Sequence, residues 1–286
     1  MRKPGVVGVA ILLAGIATFS ASHAATAIPN VKKFAKGATS EGPGHYVSLR
    51  GIRIYYEDRG KGAPLLLLHG GTGNCDQFSK QVPAFVAHYR LILPDSRAQG
   101  RTSDGPGPLS YHLMAEDVLA LMDHLGIRSA RVMGWSDGGV IGLDLAAHHP
   151  ERVSHLVTFG ANTRADGVTP DDAAWTDTAT WTAMGEGTRK AYVERAPDST
   201  RFAEAMTKII ALWRSDAQLP PAILHRIRAK TLICAGDHDL IRREHTEEIA
   251  KAIPGAQVWI VPDANHSVMI DKPEVVNPRV LEFFAR

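Results

Sequence analysis

Short, continuous apolar runs alternate with amphipathic ones along most of the chain. The apolar runs predict strands at Pro64–Leu68, Arg90–Pro94, Ala130–Gly134, Val153–Phe159, Thr231–Ala235 and Gln257–Val261. Between them, apolar positions at helical spacing predict helices at Asp76–Ala87, Tyr111–Leu125, Gly138–His148, Arg243–Ala252 and Pro273–Ala285. Pro278 lies inside the last of these and is expected to kink or shorten it, because proline has no N–H and crowds the preceding turn. Upstream, HYVSL and IRIYYED are rich in β-branched and aromatic residues; Arg50-Gly51 joins them as a hairpin. Strands without a polar face need cover on both sides. The pattern therefore predicts an α/β fold: a mostly parallel eight-stranded sheet with helices on both faces.

One segment breaks the alternation. From Asn162 to about Pro221 no strand-like run occurs, and the pieces DDAAWTDTATWTAMG, GTRKAYVERA and TRFAEAMTKIIALWR favour helix. So long a stretch is unusual for a bare loop and reads as a small helical cap, residues 162–221, inserted into a core of 44–161 and 222–286. Three of the five tryptophans fall there: Trp175, Trp181 and Trp213. They read as cap core or as the lining of a binding cleft.

The N-terminus has the form of a secretory leader, residues 1–24. MRK is basic, VVGVAILLAGIATF is apolar, and SASHAATA offers small residues for cleavage after Ala24. The apolar run is short for a bilayer core of about 30 Å, so no stable membrane insertion is expected after cleavage. Export to the periplasm or medium is the expectation, with residues 25–43 a loose, polar N-terminal arm. Without the leader, basic and acidic residues balance at thirty each, and no basic field remains to attract nucleic acid.

An oxidising compartment raises the question of a disulfide between Cys75 and Cys234. Cys75 follows the strand PLLLL and Cys234 lies within KTLICAG. In the fold argued below these strands stand three steps apart, roughly 14 Å at about 4.8 Å per step. A bridge needs Cα atoms within about 7 Å, so two free thiols are expected.

The chemistry concentrates at GWSDGG. Gly134-Trp135-Ser136-Asp137-Gly138 has G-x-S-x-G spacing between a predicted strand and a predicted helix. That context puts a serine on a tight, strained turn with its hydroxyl exposed and the helix N–H groups behind it. A serine nucleophile needs a base, and the base needs orienting. Carboxylates follow the strand KTLICAG at Gly236-Asp237-His238-Asp239, and His266 follows QVWIV in PDANHSV. All three groups fall at C-terminal strand ends, where parallel sheets collect their ligands.

Together with His69-Gly70-Gly71 after a strand and the D-x-R stretch LPDSRAQGRTS, these motifs resemble the α/β-hydrolase fold superfamily, from about residue 44 to the end. The resemblance implies Ser136 as nucleophile, His266 as base and Asp239 as the orienting acid, with Asp237 the fallback. It implies an oxyanion hole from the backbone N–H groups of Gly71 and Asp137, and makes His69 a turn residue supporting that loop. Ala98 stands where the family's D-x-R loop usually has glycine. The elbow is similar to that of the valacyclovir hydrolase (biphenyl hydrolase-like) group, where the acid after the nucleophile binds a substrate amine. That makes Asp137 a substrate-binding candidate beside Trp135, Trp175 and Trp181; the competing reading has its carboxylate in solvent or capping the helix.

The implied chemistry is acyl transfer to water from a small soluble ester, without a cofactor. Lactone, amide and aminoacyl-ester cleavage, haloperoxidation, acyl transfer and C–C hydrolysis occur on the same triad, and a non-catalytic receptor is a further reading. HGGTGN lacks the G-K-S/T of a phosphate loop, and no H-E-x-x-H or cysteine–histidine cluster appears, so no metal is expected. His148 and His149 close a helix and read as solvated, as does His238.

Overall fold

The computed structural model describes residues 44–169, 187–215, 217 and 219–286. The expected leader, the N-terminal arm, Trp175 and Trp181 lie outside the described residues. Strands β1 (Gly44–Leu49), β2 (Ile52–Arg59), β3 (Pro64–Leu68), β4 (Arg90–Pro94), β5 (Ala130–Trp135), β6 (Val153–Phe159), β7 (Lys230–Gly236) and β8 (Gln257–Val261) form one sheet. Their order is β1-β2-β4-β3-β5-β6-β7-β8. The pairs β1–β2 and β2–β4 are antiparallel and every other pair is parallel. Arg50 (φ 48°) and Gly51 (φ 76°) both take positive φ, as a two-residue hairpin whose twist matches its strands requires.

The alternation of side chains along β3 explains why helices cover both faces. Leu66 and Leu68 join one apolar cluster with Val132, Val140 and Leu143; Leu65 and Leu67 join the other with Phe78, Phe85 and Phe284. The first face is covered by α2 (Tyr111–His124), α3 (Asp137–His148) and α7 (Arg243–Ala252); the second by α1 (Val82–Phe85), α8 (Val268–Asp271) and α9 (Pro273–Ala285). Each fully buried leucine contributes about 1.5–3 kcal/mol, so β3 is a main anchor of the sheet.

Two helices differ from expectation. Asp76–Ala87 is not continuous: a 3₁₀ turn at Cys75–Phe78 is followed by the four-residue α1. Pro83 explains the break, since its ring clashes with the carbonyl four residues back and it cannot donate there. It sits instead in the first turn of α1, where a missing N–H is tolerated. Conversely, α9 runs through Pro278 without being shortened. Pro278 and Glu274, whose carbonyl loses its donor, are both exposed, so water can satisfy that oxygen. Val276, Val280, Phe283 and Phe284 are buried and hold the helix on the sheet.

The described part of the insertion is helical: α4, described over 187–193, α5 (Phe202–Trp213) and, at the junction, α6 (Pro221–Leu224). Ion pairs tie it to the core. Arg195 meets Asp76 at 2.7 Å, while Arg201 and Lys208 converge on the buried Asp104 at 3.1 and 2.6 Å. Cys75 and Cys234 are buried and free, with β5 and β6 between their strands. Among the described residues no helix is long and apolar enough to cross a membrane.

Candidate active site

Ser136 joins the end of β5 to the start of α3 with φ 52° and ψ −120°, a conformation that costs a non-glycine residue of order 1–3 kcal/mol. The glycines two before and two after it make the turn sterically feasible. A Cβ on Gly134 would lie 2.2 Å from the Gly138 carbonyl oxygen, and one on Gly138 would lie 2.0 Å from that of Leu68. Ser136 N–H donates to the Phe159 carbonyl at 2.8 Å, and the Ser136 carbonyl accepts from Gly139 and Val140, which holds the turn at both ends. The serine remains partly exposed.

The acid follows the end of β7 and the histidine follows the end of β8, beyond β6 in the sheet. His266 Nδ1 lies 2.8 Å from Asp239 Oδ1, whose carboxylate also accepts from the Ile241 N–H at 3.0 Å. Asp239 is nearly inaccessible (side chain 1% exposed), while His266 is 14% exposed. The Asp239 carboxylate accepts a hydrogen bond from Nδ1–H, which keeps that proton on Nδ1 and leaves Nε2 as the basic nitrogen. Gly160, directly after β6, makes room for the ring: a Cβ there would lie 2.6 Å from His266 Cε1 and Nδ1. Asp237, the fallback acid, instead accepts the N–H groups of Asp263 and Ala264 at 2.9 Å each and shapes the loop that carries His266.

Trp135, a substrate-binding candidate from the sequence, stands directly before the nucleophile. Its side chain is buried, and its Nε1 donates to the His266 carbonyl at 2.8 Å, so the residue before the serine braces the histidine loop.

The turn at Gly70-Gly71 lies against this elbow. His69 is buried; its Nε2 accepts the Ser96 N–H at 2.8 Å, and its Nδ1 lies 2.7 Å from the Gly70 carbonyl. Those partners require the proton on Nδ1, and burial pushes the imidazole pKa below its ordinary value. The histidine is thus a neutral brace between the Gly70-Gly71 turn and the D-x-R loop. In that loop Ala98 adopts φ 61°, so the backbone keeps a glycine-type turn although the residue is alanine. Arg97 forms a buried, bidentate pair with Asp117 at 2.8 and 2.7 Å.

Asp137 is neither solvated nor a cap. Its side chain is buried under the Gly71 turn and accepts the Tyr111 hydroxyl at 2.9 Å and Trp213 Nε1 at 3.0 Å. Burial pushes its carboxyl pKa up against these two donors, and pushes the Tyr111 hydroxyl well above its usual range. As the first residue of α3, Asp137 has a backbone N–H without an intrahelical acceptor. Tyr111 and Gly160 are the site residues that sequence reasoning missed. A tyrosine at a helix start gives no local signal, whereas a glycine at a parallel strand's C-terminal end gives a weak one. His148 and His149, expected in solvent, are half-buried and pair with Asp144 and Glu116. His238 is exposed as expected.

Residues 63–182 match the family model described as alpha/beta hydrolase fold. A RutD protein of Azorhizobium caulinodans, named as a carbamate hydrolase, is 39% identical over 40% of this chain and 43% of its own length. The serine hydrolase BPHL of Homo sapiens is 28% identical over 83% of this chain and 84% of its own length. A crystallised hydrolase from Pseudomonas aeruginosa superposes with a TM-score of 0.69 at 27% identity, covering 86% of this chain and all of that one. The chain has the α/β-hydrolase fold. Hydrolysis of a small-molecule substrate is the class of activity that these likenesses support.

Proposed function

We propose that the protein is an exported serine hydrolase that cleaves carboxylic esters of small, soluble substrates. The observation that carries this reading is the strained Ser136 elbow set among strand ends that also bear the hydrogen-bonded His266–Asp239 pair. In the mechanism, His266 Nε2 takes the Ser136 proton as Oγ attacks the carbonyl carbon. The oxyanion that forms is stabilised by the N–H groups of Gly71 and Asp137. Collapse expels the alcohol, protonated by His266, and leaves an acyl-enzyme. Water, deprotonated by the same nitrogen, then releases the acid. Carbamates, amides and lactones present the same carbonyl and follow the same steps. Turnover of p-nitrophenyl acetate and labelling by a fluorophosphonate are expected to vanish in Ser136→Ala. Persistence of both would remove the serine mechanism; labelling without turnover of any acyl substrate would favour a non-catalytic receptor. The composition of residues 1–24 supports export, and a mature N-terminus at Ala25 is the expected finding.

One observation favours a second, narrower reading: among the described residues no lysine or arginine pairs with the buried Asp137 carboxylate. A substrate ammonium would supply the missing charge, as aminoacyl esters do. Wild type is then expected to prefer aminoacyl over plain acyl esters, and Asp137→Ala to lose that preference. An unchanged preference would remove this reading and leave the serine mechanism intact.

A further inference from the structure

Away from the elbow, the last two turns of α3 meet the first turn of α2 in a cluster of two histidines and one carboxylate. Asp144 is 1% exposed, and its Oδ1 lies 2.9 Å from His112 Nδ1 and 3.2 Å from His148 Nδ1. The two imidazole rings are 4.7 Å apart between centroids. One candidate ligand atom from each of the three residues lies within 4.8 Å of the others. Among the described residues, the ion-pair partners of Asp144 are these two histidines.

Their arrangement follows from the helices. Asp144 and His148 are one turn apart and project from the same face of α3. That spacing is the one by which a single helix offers two ligands to one ion. His112, next to the start of α2, closes the set from the facing helix. Two imidazoles and a carboxylate are a typical protein donor set for zinc, with a fourth position left to water. In a tetrahedral site with bonds of about 2.0–2.1 Å, ligand atoms stand about 3.3 Å apart. The two spacings from Asp144 Oδ1 need less than about half an ångström of adjustment to match. The His112 side chain is 56% exposed, which opens a path for the ion.

We propose that His112, Asp144 and His148 form a binding site for a divalent transition metal of the zinc type, distinct from the candidate active site. The ion would join the first turn of α2 to the end of α3. His112 follows Tyr111, whose hydroxyl holds Asp137, so the metal would also stiffen the helix start that supports the elbow. The sequence carries no compact metal motif because the ligands come from two helices.

The test is calorimetric titration of the metal-free full chain with Zn²⁺ at pH 7.5. One tight site per chain is expected in wild type and in His124→Ala, an exposed histidine at the other end of α2. His112→Ala and His148→Ala are each expected to weaken it at least tenfold. A hundredfold excess over Kd is expected to raise Tm by about 5 °C in wild type and not in His112→Ala. His112 is exposed enough that its truncation leaves the fold intact, so this arm stands even where His148→Ala folds poorly. His266 is present in every variant, so zinc held at the candidate active site would survive both substitutions. Equal affinity in wild type and His112→Ala, or no binding tighter than about 0.1 mM, would overturn the proposal.

Discussion

Trp213 Nε1 donates to both carboxylate oxygens of Asp137 at 3.0 Å, and through that contact the end of α5 rests on the nucleophile's neighbour. The indole also lies against the Gly70-Gly71 turn: a Cβ on Gly71 would lie 2.7 Å from Trp213 Cζ2 and 2.5 Å from Asp137 Oδ2. One buried carboxylate thus joins the insertion, the elbow and the proposed oxyanion turn. Trp213→Phe keeps an aromatic ring and deletes the donor. It is expected to cost about 1–2 kcal/mol in urea unfolding and to lower kcat/KM for p-nitrophenyl acetate about tenfold.

Gly71→Ala acts on the same turn from the other side. The added methyl would meet Asp137 Oδ2 and Trp213 Cζ2, so the turn must shift and carry the proposed oxyanion donor with it. A loss on the order of 10²-fold in kcat is expected, with a smaller change in KM. Unchanged kcat in a folded Gly71→Ala protein would remove the Gly71 N–H from the oxyanion hole.

Much of this arrangement was legible in the sequence, because strand ends are marked locally. The runs at Pro64–Leu68, Arg90–Pro94, Val153–Phe159 and Gln257–Val261 match strands residue for residue. Ser136, Asp239 and His266 follow three such ends at short range, so chain order alone brings them to one edge of the sheet. The direction of a side chain was not legible. The partners of the Trp135 and Asp137 side chains lie 131 and 26 or more positions away, so no local pattern reveals what those polar atoms hold. Ala98 marks another limit: the residue type argues against a positive φ, and the tertiary bonds of its loop impose one.

Acid is expected to weaken the fold partly through His69. Burial holds its folded pKa below the unfolded value of about 6.5, so the unfolded chain binds a proton that the folded chain does not. Its contribution to stability is present above that value and is lost as pH falls through the folded pKa, by up to about 1.4 kcal/mol per pH unit. His155 and His245 are shifted the same way by burial and add to the slope. Urea midpoints measured from pH 7.5 to pH 5 are expected to fall in wild type and to fall less steeply in His69→Gln. Parallel slopes would assign the effect to the other two histidines.

Arg97 tests whether the D-x-R loop is held by charge alone. Its bidentate pair with Asp117 is buried on both sides, and Arg50 approaches the same carboxylate at 3.3 Å. Removing one partner of a buried pair typically costs 3–5 kcal/mol, and Arg50 offsets part of that, so Arg97→Ala is expected to lose about 3 kcal/mol. Arg97→Lys keeps the charge and loses the planar fork, and is expected to recover less than half of the loss. Full recovery with lysine in urea unfolding would show that geometry at this site is unimportant.

The two carboxylates of the GDHD stretch separate by the atoms they hold. Asp239 accepts from the His266 imidazole, whereas Asp237 accepts two backbone N–H groups of the loop leading to it. In Asp239→Asn an amide N–H2 turned toward Nδ1 would favour the tautomer with its proton on Nε2, where it cannot act as base. A loss of about 10³–10⁴ in kcat is expected, with the fold retained because the side chain keeps its size. Asp237→Ala releases the Asp263 and Ala264 N–H groups and lets the histidine loop relax. Its expected loss is about tenfold in kcat/KM, comparable to losing a positioning contact. Hydrolysis of p-nitrophenyl acetate by the two variants decides the assignment: if Asp237→Ala is the more damaged of the two, the orienting acid is Asp237.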